Sequence, residues 1–248
     1  MALTLLEMCQ EALWDVGVDP PSSVVNGGDE GMQLKAIANS VGRDLFKRLN
    51  GGWQDLIVEA SFTTVATELQ FTMDTQFPNL HRIIPNTMWN TTQQRPVVGP
   101  LSAQAWRRIQ AENDTFDYPV FRIYQGKFYL LDPTASETVY FEYLDNRWVK
   151  DTLGTSFYTR FQADTDQPRL DDHAMTLGIR WRYLQKKGLE YGEVFREYED
   201  WVQEMQGADL PSETLNMHPG VTRGAVGDGD WVFSVNGLTW NSGALIWE

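Results

Sequence analysis

Glu142 and Asp145 flank the end of a β-prone run, Thr138-Val-Tyr-Phe-Glu-Tyr143. A pair of carboxylates is the equipment of glycoside hydrolysis, one serving as acid and the other as base or nucleophile. Nothing in the sequence fixes their separation. A second acidic group, Asp164-Thr-Asp166 followed by Asp171-Asp172-His173, has residue types that ligate metals. It lacks EF-hand spacing and stands just before a helical pattern, where acids cap the first turn and suit the helix dipole. Capping is therefore the expected role. Gly227-Asp-Gly-Asp230 has the composition of a calcium turn in a single copy and is read as a flexible turn. His81, His173 and His218 fall in different elements. Cys9 sits among apolar helix positions and is expected to be a buried, inert thiol. Arg180, Arg182, Lys186 and Lys187 form a basic strip, which is either a solvated face or a surface for pairing with acidic neighbours. No P-loop, G-x-S-x-G, H-E-x-x-H or dinucleotide fingerprint occurs. The expectation is a protein that is not an enzyme, with no cofactor and no metal.

Composition bounds the remaining classes. A chain of 248 residues can bury one large core or two smaller ones. No apolar run approaches the roughly 20 residues of a membrane span, and the first residues, Met-Ala-Leu-Thr-Leu-Leu-Glu, lack a signal-peptide pattern. One cysteine excludes an internal disulfide, so a reducing cytoplasm is the expected place of synthesis. A net charge of −14 opposes wrapping nucleic acid by phosphate neutralisation. It suits a surface past which DNA slides without sticking.

The elements follow from periodicity. Leu3 to Trp14 predicts a helix, with Thr4 and Glu7 at capping-box spacing and Leu6, Cys9 and Leu13 on one face. Asn26-Gly-Gly-Asp29 opens a second helix of about 20 residues. Its apolar stripe is Leu34, Ile37, Ala38, Val41, Leu45 and Leu49, opposite Lys35, Asn39, Arg43 and Lys47. From Ala60 to Val149 the period becomes that of strands. Phe62 to Phe71 reads as a strand pair, Leu80 to Ile84 as a third strand, and Met88 to Arg95 as a fourth. A short helix spans Ala103 to Ile109, a hairpin turns on Gln125-Gly126, and a last strand covers Thr138 to Tyr143. Helices return over Pro168 to Lys187 and Tyr191 to Met205, the latter with Val194, Tyr198, Trp201 and Met205 aligned. The expected fold class is α+β: an antiparallel helical bundle (residues 1–58 and 151–206) interrupted by an inserted antiparallel β domain (59–150), with an extended C-terminal arm (207–248).

That arm carries the strongest functional signal. From Gly207 to Glu248 it holds seven glycines, no lysine and one arginine, yet it is rich in large apolar residues. A disordered linker has the opposite composition. Asn236-Gly237 separates two β-prone runs, which predicts a hairpin. An isolated two-stranded hairpin is marginal in water, so the segment is expected to dock on a neighbouring subunit or partner. The candidate anchors are Trp231, Phe233, Val235, Leu238, Trp240, Leu245 and Trp247.

Several stretches resemble the head-to-tail adaptor (connector) proteins of short-tailed bacteriophages. They are Thr4-Leu-Leu-Glu-Met-Cys-Gln-Glu-Ala-Leu13, Val25-Asn-Gly, Met32 to Leu49 into Gly52-Trp53-Gln54, and Arg82-Ile-Ile-Pro-Asn-Thr-Met-Trp89-Asn90. Val98-Gly-Pro-Leu-Ser102, Pro119-Val-Phe-Arg-Ile123, Phe141-Glu-Tyr143, Phe161-Gln-Ala-Asp-Thr-Asp166 and Leu177-Gly-Ile-Arg-Trp-Arg182 continue the likeness. It covers about residues 4 to 200. It implies a ring of twelve copies under the portal protein at the tail vertex of the virion, assembled in the host cytoplasm. DNA would pass through an axial channel without sequence-specific binding. The arm would dock on the portal, and the distal face would take a tail or nozzle protein, with fibres or spikes at the periphery. Competing readings are a tail-associated cell-wall hydrolase, with tryptophans lining a sugar groove, and a glycan- or receptor-binding tail module.

Overall fold

The computed structural model describes residues 2–48, 54–112, 118–209, 224–226, 230–235, 238–241 and 244–245. It is a mixed α+β fold in which every strand pairing within a sheet is antiparallel.

Helix α1 (Leu5–Trp14) begins with a full capping box. The Glu7 backbone N–H donates to Thr4 Oγ1 at 3.3 Å, and the Thr4 N–H donates to Glu7 Oε2 at 2.8 Å. Helix α2 (Gly28–Arg48) buries Leu34, Ile37, Ala38, Val41 and Leu45, the expected stripe; Leu49 lies outside the described residues. Its polar face is not simply solvated. Asn39 Oδ1 accepts the Phe161 N–H at 2.9 Å, and Lys35 Nζ donates to the Gln162 carbonyl at 3.1 Å.

A 3-10 turn (Gln54–Leu56) leads into β1 (Ile57–Thr63), β2 (Leu69–Thr72), the one-turn helix α3 (Met73–Gln76) and β3 (Leu80–Ile83). The strands β4 (Trp89–Asn90) and β5 (Arg95–Pro96) precede α4 (Ala103–Glu112). Then come β6 (Phe121–Tyr124), β7 (Lys127–Leu130) and the long β8 (Thr138–Asp145). Two expectations are corrected here. Phe62 to Phe71 is not a strand pair: β1 lies against β8 in one sheet, and β2 against β7 in another. The stretch from Met88 to Arg95 is a hairpin, β4 against β5, whose first strand also pairs with β8. The β6–β7 hairpin turns on Gln125 and Gly126 as expected. Both have positive φ, 50° and 69°, which suits the right-handed twist of the flanking strands.

Three two-residue strands escaped the sequence reading: β9 (Val149–Lys150), β10 (Phe157–Tyr158) and β11 (Gln167–Pro168), with β9 in the middle. Pro168 therefore belongs to a strand. Helix α5 (Asp172–Lys187) starts later, capped by Asp171, and ends at Gly188 in the left-handed region. In α6 (Gly192–Asp209) Tyr198 and Val202 are buried, whereas Trp201 is 36% exposed and off the buried stripe. Its indole Nε1 donates to Asp171 Oδ1 at 3.0 Å, so the residue serves a polar contact at the rim.

Two clusters of buried side chains result. One joins α1, α2, α5 and α6 with Leu56, Leu144, Trp148, Val149 and Phe161. The other is an aromatic core of Phe62, Phe121, Phe128, Phe141 and Tyr143 from the sheets, with the Phe71 and Phe121 rings stacked on Phe128 at 5.1 and 5.0 Å. A clasp sits where the chain passes between them. Asp145, 1% exposed, accepts from Arg147 Nη2 at 2.8 Å and Arg169 Nη1 at 3.4 Å, and Arg169 Nη2 also donates to the Asp55 carbonyl.

Beyond α6, β12 (Gly224–Val226), β13 (Asp230–Val235), β14 (Leu238–Asn241) and β15 (Ala244–Leu245) form a four-stranded antiparallel sheet in chain order. Two strands were expected there.

Candidate functional site

The four acidic residues Asp164, Asp166, Asp171 and Asp172 each have a structural task. Asp164 Oδ1 accepts the N–H groups of Val24 and Val25 at 3.0 and 2.8 Å, and its Oδ2 takes the Ser23 hydroxyl at 2.5 Å. Asp166 Oδ2 accepts from Gln162 and Ala163 at 2.6 and 2.8 Å. Asp171 caps α5 through the Ala174 N–H at 2.6 Å, and Asp172 accepts the Leu3 N–H at 3.2 Å. These carboxylates are spread over two loops and a helix start. Among the described residues no group of three His, Cys, Asp or Glu side chains could hold a metal ion.

The Glu142–Asp145 pair is not an acid–base site. The two stand three residues apart on β8, which puts their side chains on opposite faces of the sheet. Glu142 lies across from Glu59, and Asp145 is held by two guanidiniums. His81 meets the Phe46 ring edge-on at 4.9 Å, and His173 meets Trp201 at 4.5 Å; His218 lies outside the described residues. Burial, reinforced by Arg82 and Lys47, pulls the His81 imidazole below its ordinary value. Cys9 is buried, and desolvation with the nearby Asp164 charge pushes its thiol up to about 12, so it is no nucleophile at neutral pH.

The basic strip divides. Arg180 pairs with Asp15 at 3.3 Å, and Arg182 pairs with Asp44 at 3.2 Å and donates to Ser40 Oγ. These two arginines hold α5 to its neighbours within the chain. Lys186 and Lys187 occupy the exposed last turn, with Lys187 over the Tyr183 ring at 5.1 Å.

What the structure does bring together is the set of apolar positions in the C-terminal strands. Phe233 lies opposite Trp240, and Trp240 opposite Leu245, making a row across β13, β14 and β15. Val235 lies opposite Leu238, flanking Asn236-Gly237, while the polar pair Ser234–Thr239 alternates with them. Trp231 lies opposite Ala225. Trp247 is outside the described residues, as are Gly227, Asp228 and Gly229 of the turn motif; Asp230 opens β13.

A second feature was invisible in the sequence. Arg122, Tyr124 and Tyr129 on the outer face of β6 and β7, with Trp106 and Arg107 of α4, wall a groove of about 400 Å³, and Lys127 lies on the same sheet face. These residues are distant in sequence and join only through the hairpin register and the packing of α4.

Among the described residues no helix is long and apolar enough to cross a membrane. Neither the protein-family models nor the curated proteins with which the chain was compared match it.

Proposed function

We propose that this chain is a structural virion protein, the head-to-tail adaptor of a short-tailed bacteriophage. Twelve copies form a ring under the portal, extend the DNA channel and attach the tail or nozzle component. In this reading the helices form one bundle interrupted by the β segment, and the strands after α6 are an extended assembly arm. The observation that carries the proposal is the Phe233–Trp240–Leu245 row, in a glycine-rich segment whose aromatic content has no place in a linker. Such a row offers anchors to a groove, and the sheet edge offers strand addition to a partner. The resemblance of residues 4 to 200 to adaptor proteins supports the same conclusion. So does the use of the acidic residues as backbone caps, which is architecture and not chemistry.

The test is a rotationally averaged electron-microscopic image of the tail vertex in particles carrying the chain, with its copies marked by a C-terminal tag. A tagged ring between the portal and the distal tail is expected. Tag density confined to the tail tip, with clearing of peptidoglycan by the purified chain on a zymogram, would overturn the proposal.

A further inference from the structure

Two unlike charged surfaces stand on different parts of the molecule. The first is the groove between α4 and the β6–β7 hairpin. Arg122 lies over the Tyr124 ring at 5.0 Å, and Arg107 Nη1 donates to Gln110 Oε1 at 3.1 Å. Among the described residues neither arginine has an ion-pair partner. Arg122 lies opposite Tyr129 and Tyr124 opposite Lys127, so Lys127 shares the face and adds a third cation. The one acid in the groove, Glu68, accepts from Gln110 Nε2 at 3.4 Å. In a chain of net charge −14 this is a local reversal of sign, with aromatic rings beside the cations.

The second surface is the outer side of α6. Glu193, Glu197, Asp200 and Glu204 are all exposed and recur at spacings of four, three and four, which places them on one stripe. Arg196 stands beside the stripe, and among the described residues none of the four carboxylates has an ion-pair partner. Like charges at this spacing destabilise a free helix, and cations laid along it relieve that repulsion.

We infer that the Arg107–Arg122 groove, with Lys127 on the same sheet face, receives the acidic α6 stripe of a second copy of this chain. The inference rests on the ring reading above and names the contact between neighbours. Charge complementarity selects the occupant: guanidiniums flanked by tyrosines suit carboxylates presented on a helix ridge. In the ring reading the groove of one copy and the ridge of the next join head to tail, the heterologous arrangement that closes into a ring when the rotation permits. Nucleic acid is the poorer occupant, because the chain as a whole repels phosphate.

The experiment is a charge-reversal exchange on the full-length chain, with self-association measured by sedimentation equilibrium from micromolar to millimolar concentration. Arg107→Glu/Arg122→Glu is expected to weaken association about tenfold, and Glu197→Lys/Glu204→Lys to do the same. An equimolar mixture of the two variants should restore association, because alternating copies pair reversed groove with reversed stripe and unaltered groove with unaltered stripe, and one chain carrying all four changes should regain association to within about threefold of the unaltered protein. Arg107→Glu alone, at an exposed position, separates a lost contact from a damaged fold, and the urea midpoint of every variant is checked. A chain that associates equally well in all variants overturns the contact and leaves the ring reading standing. A chain that never associates, even with its arm intact and tail-vertex particles showing no ring, overturns both. A groove that instead binds single-stranded oligonucleotide, with that binding lost in Arg107→Glu/Arg122→Glu and association unchanged, also overturns it.

Discussion

Asp164 caps the backbone of Val24 across 140 residues of sequence, its Oδ1 accepting the Val24 N–H at 3.0 Å and the Val25 N–H at 2.8 Å. The loop between α1 and α2 is thereby pinned to the segment that leads into β11. Hydrogen bonds to a charged acceptor contribute more than neutral ones, and removing the acceptor leaves half-buried donors unpaired. Asp164→Ala is expected to lower stability by about 2–3 kcal/mol in urea denaturation. Asp164→Asn keeps one acceptor oxygen and should cost less.

Gly42 sits where α2 meets the Trp148 indole, and a Cβ at that position would overlap the ring. Alanine is the better helix former, by about 1 kcal/mol. Overpacking against a rigid, buried indole works the other way, and the measured change in Gly42→Ala is expected to be a net destabilisation of about 1–3 kcal/mol. Equal or greater stability, read from the thermal midpoint, would show that Trp148 can move aside.

Cys9 should remain unlabelled by iodoacetamide in the folded protein at neutral pH and react once urea unfolds it. Its folded thiol is raised from 9.0 to about 12 by burial and by Asp164. Between these values the unfolded chain loses a proton that the folded chain keeps, so stability falls as pH rises from about 9 toward 12. Cys9→Ala should remove that part of the alkaline slope.

His81 gives the opposite slope. Its folded imidazole is held below its ordinary value, first by desolvation and then by Arg82 and Lys47. The unfolded chain therefore takes up this proton first, and stability declines as pH falls through about 6.5. The effect is small at an exposed ring. His81→Asn should flatten it, which pH-dependent urea midpoints can resolve.

A chain ending after Asp209 is expected to keep the urea midpoint of the full protein, because among the described residues the buried clusters are built from residues up to Met205. The full chain should be largely monomeric at low concentration and cut by proteases beyond α6. Ordering the arm costs roughly 1–2 kcal/mol of backbone entropy per residue, and a partner surface would offset it. Limited proteolysis with mass spectrometry checks this. An arm already resistant in the free monomer would mean that it packs on its own chain.

Local signals were legible and tertiary ones were not. The Thr4–Glu7 capping box, the α2 stripe and the Gln125-Gly126 turn depend on residues a few positions apart, and they stand where periodicity placed them. The strands β9 to β11 are two residues each and exist because Val149 pairs with both Tyr158 and Pro168. Pro168 reads naturally as a first helical residue, but that pairing holds it in a strand and leaves Asp171 to cap α5. Trp201 follows the apolar period of α6, yet its N–H finds Asp171 at the rim, since tryptophan carries a polar handle. In the candidate sites, the C-terminal row was visible as alternation around Asn236-Gly237. The groove was not, because Arg107 and Arg122 meet only when α4 lies against the β6–β7 hairpin.

Ile57, the first residue of β1, lies directly across from Leu144 near the end of β8. The chain therefore leaves the helices and returns to them at almost the same point, with the Asp145–Arg169–Asp55 clasp closing the neck. The segment between meets α2 a second time, where His81 stands against the Phe46 ring. The β6–β7 hairpin shares no residue with the buried cluster of the helices, so its turn is the place where length can change without moving α2 or α5.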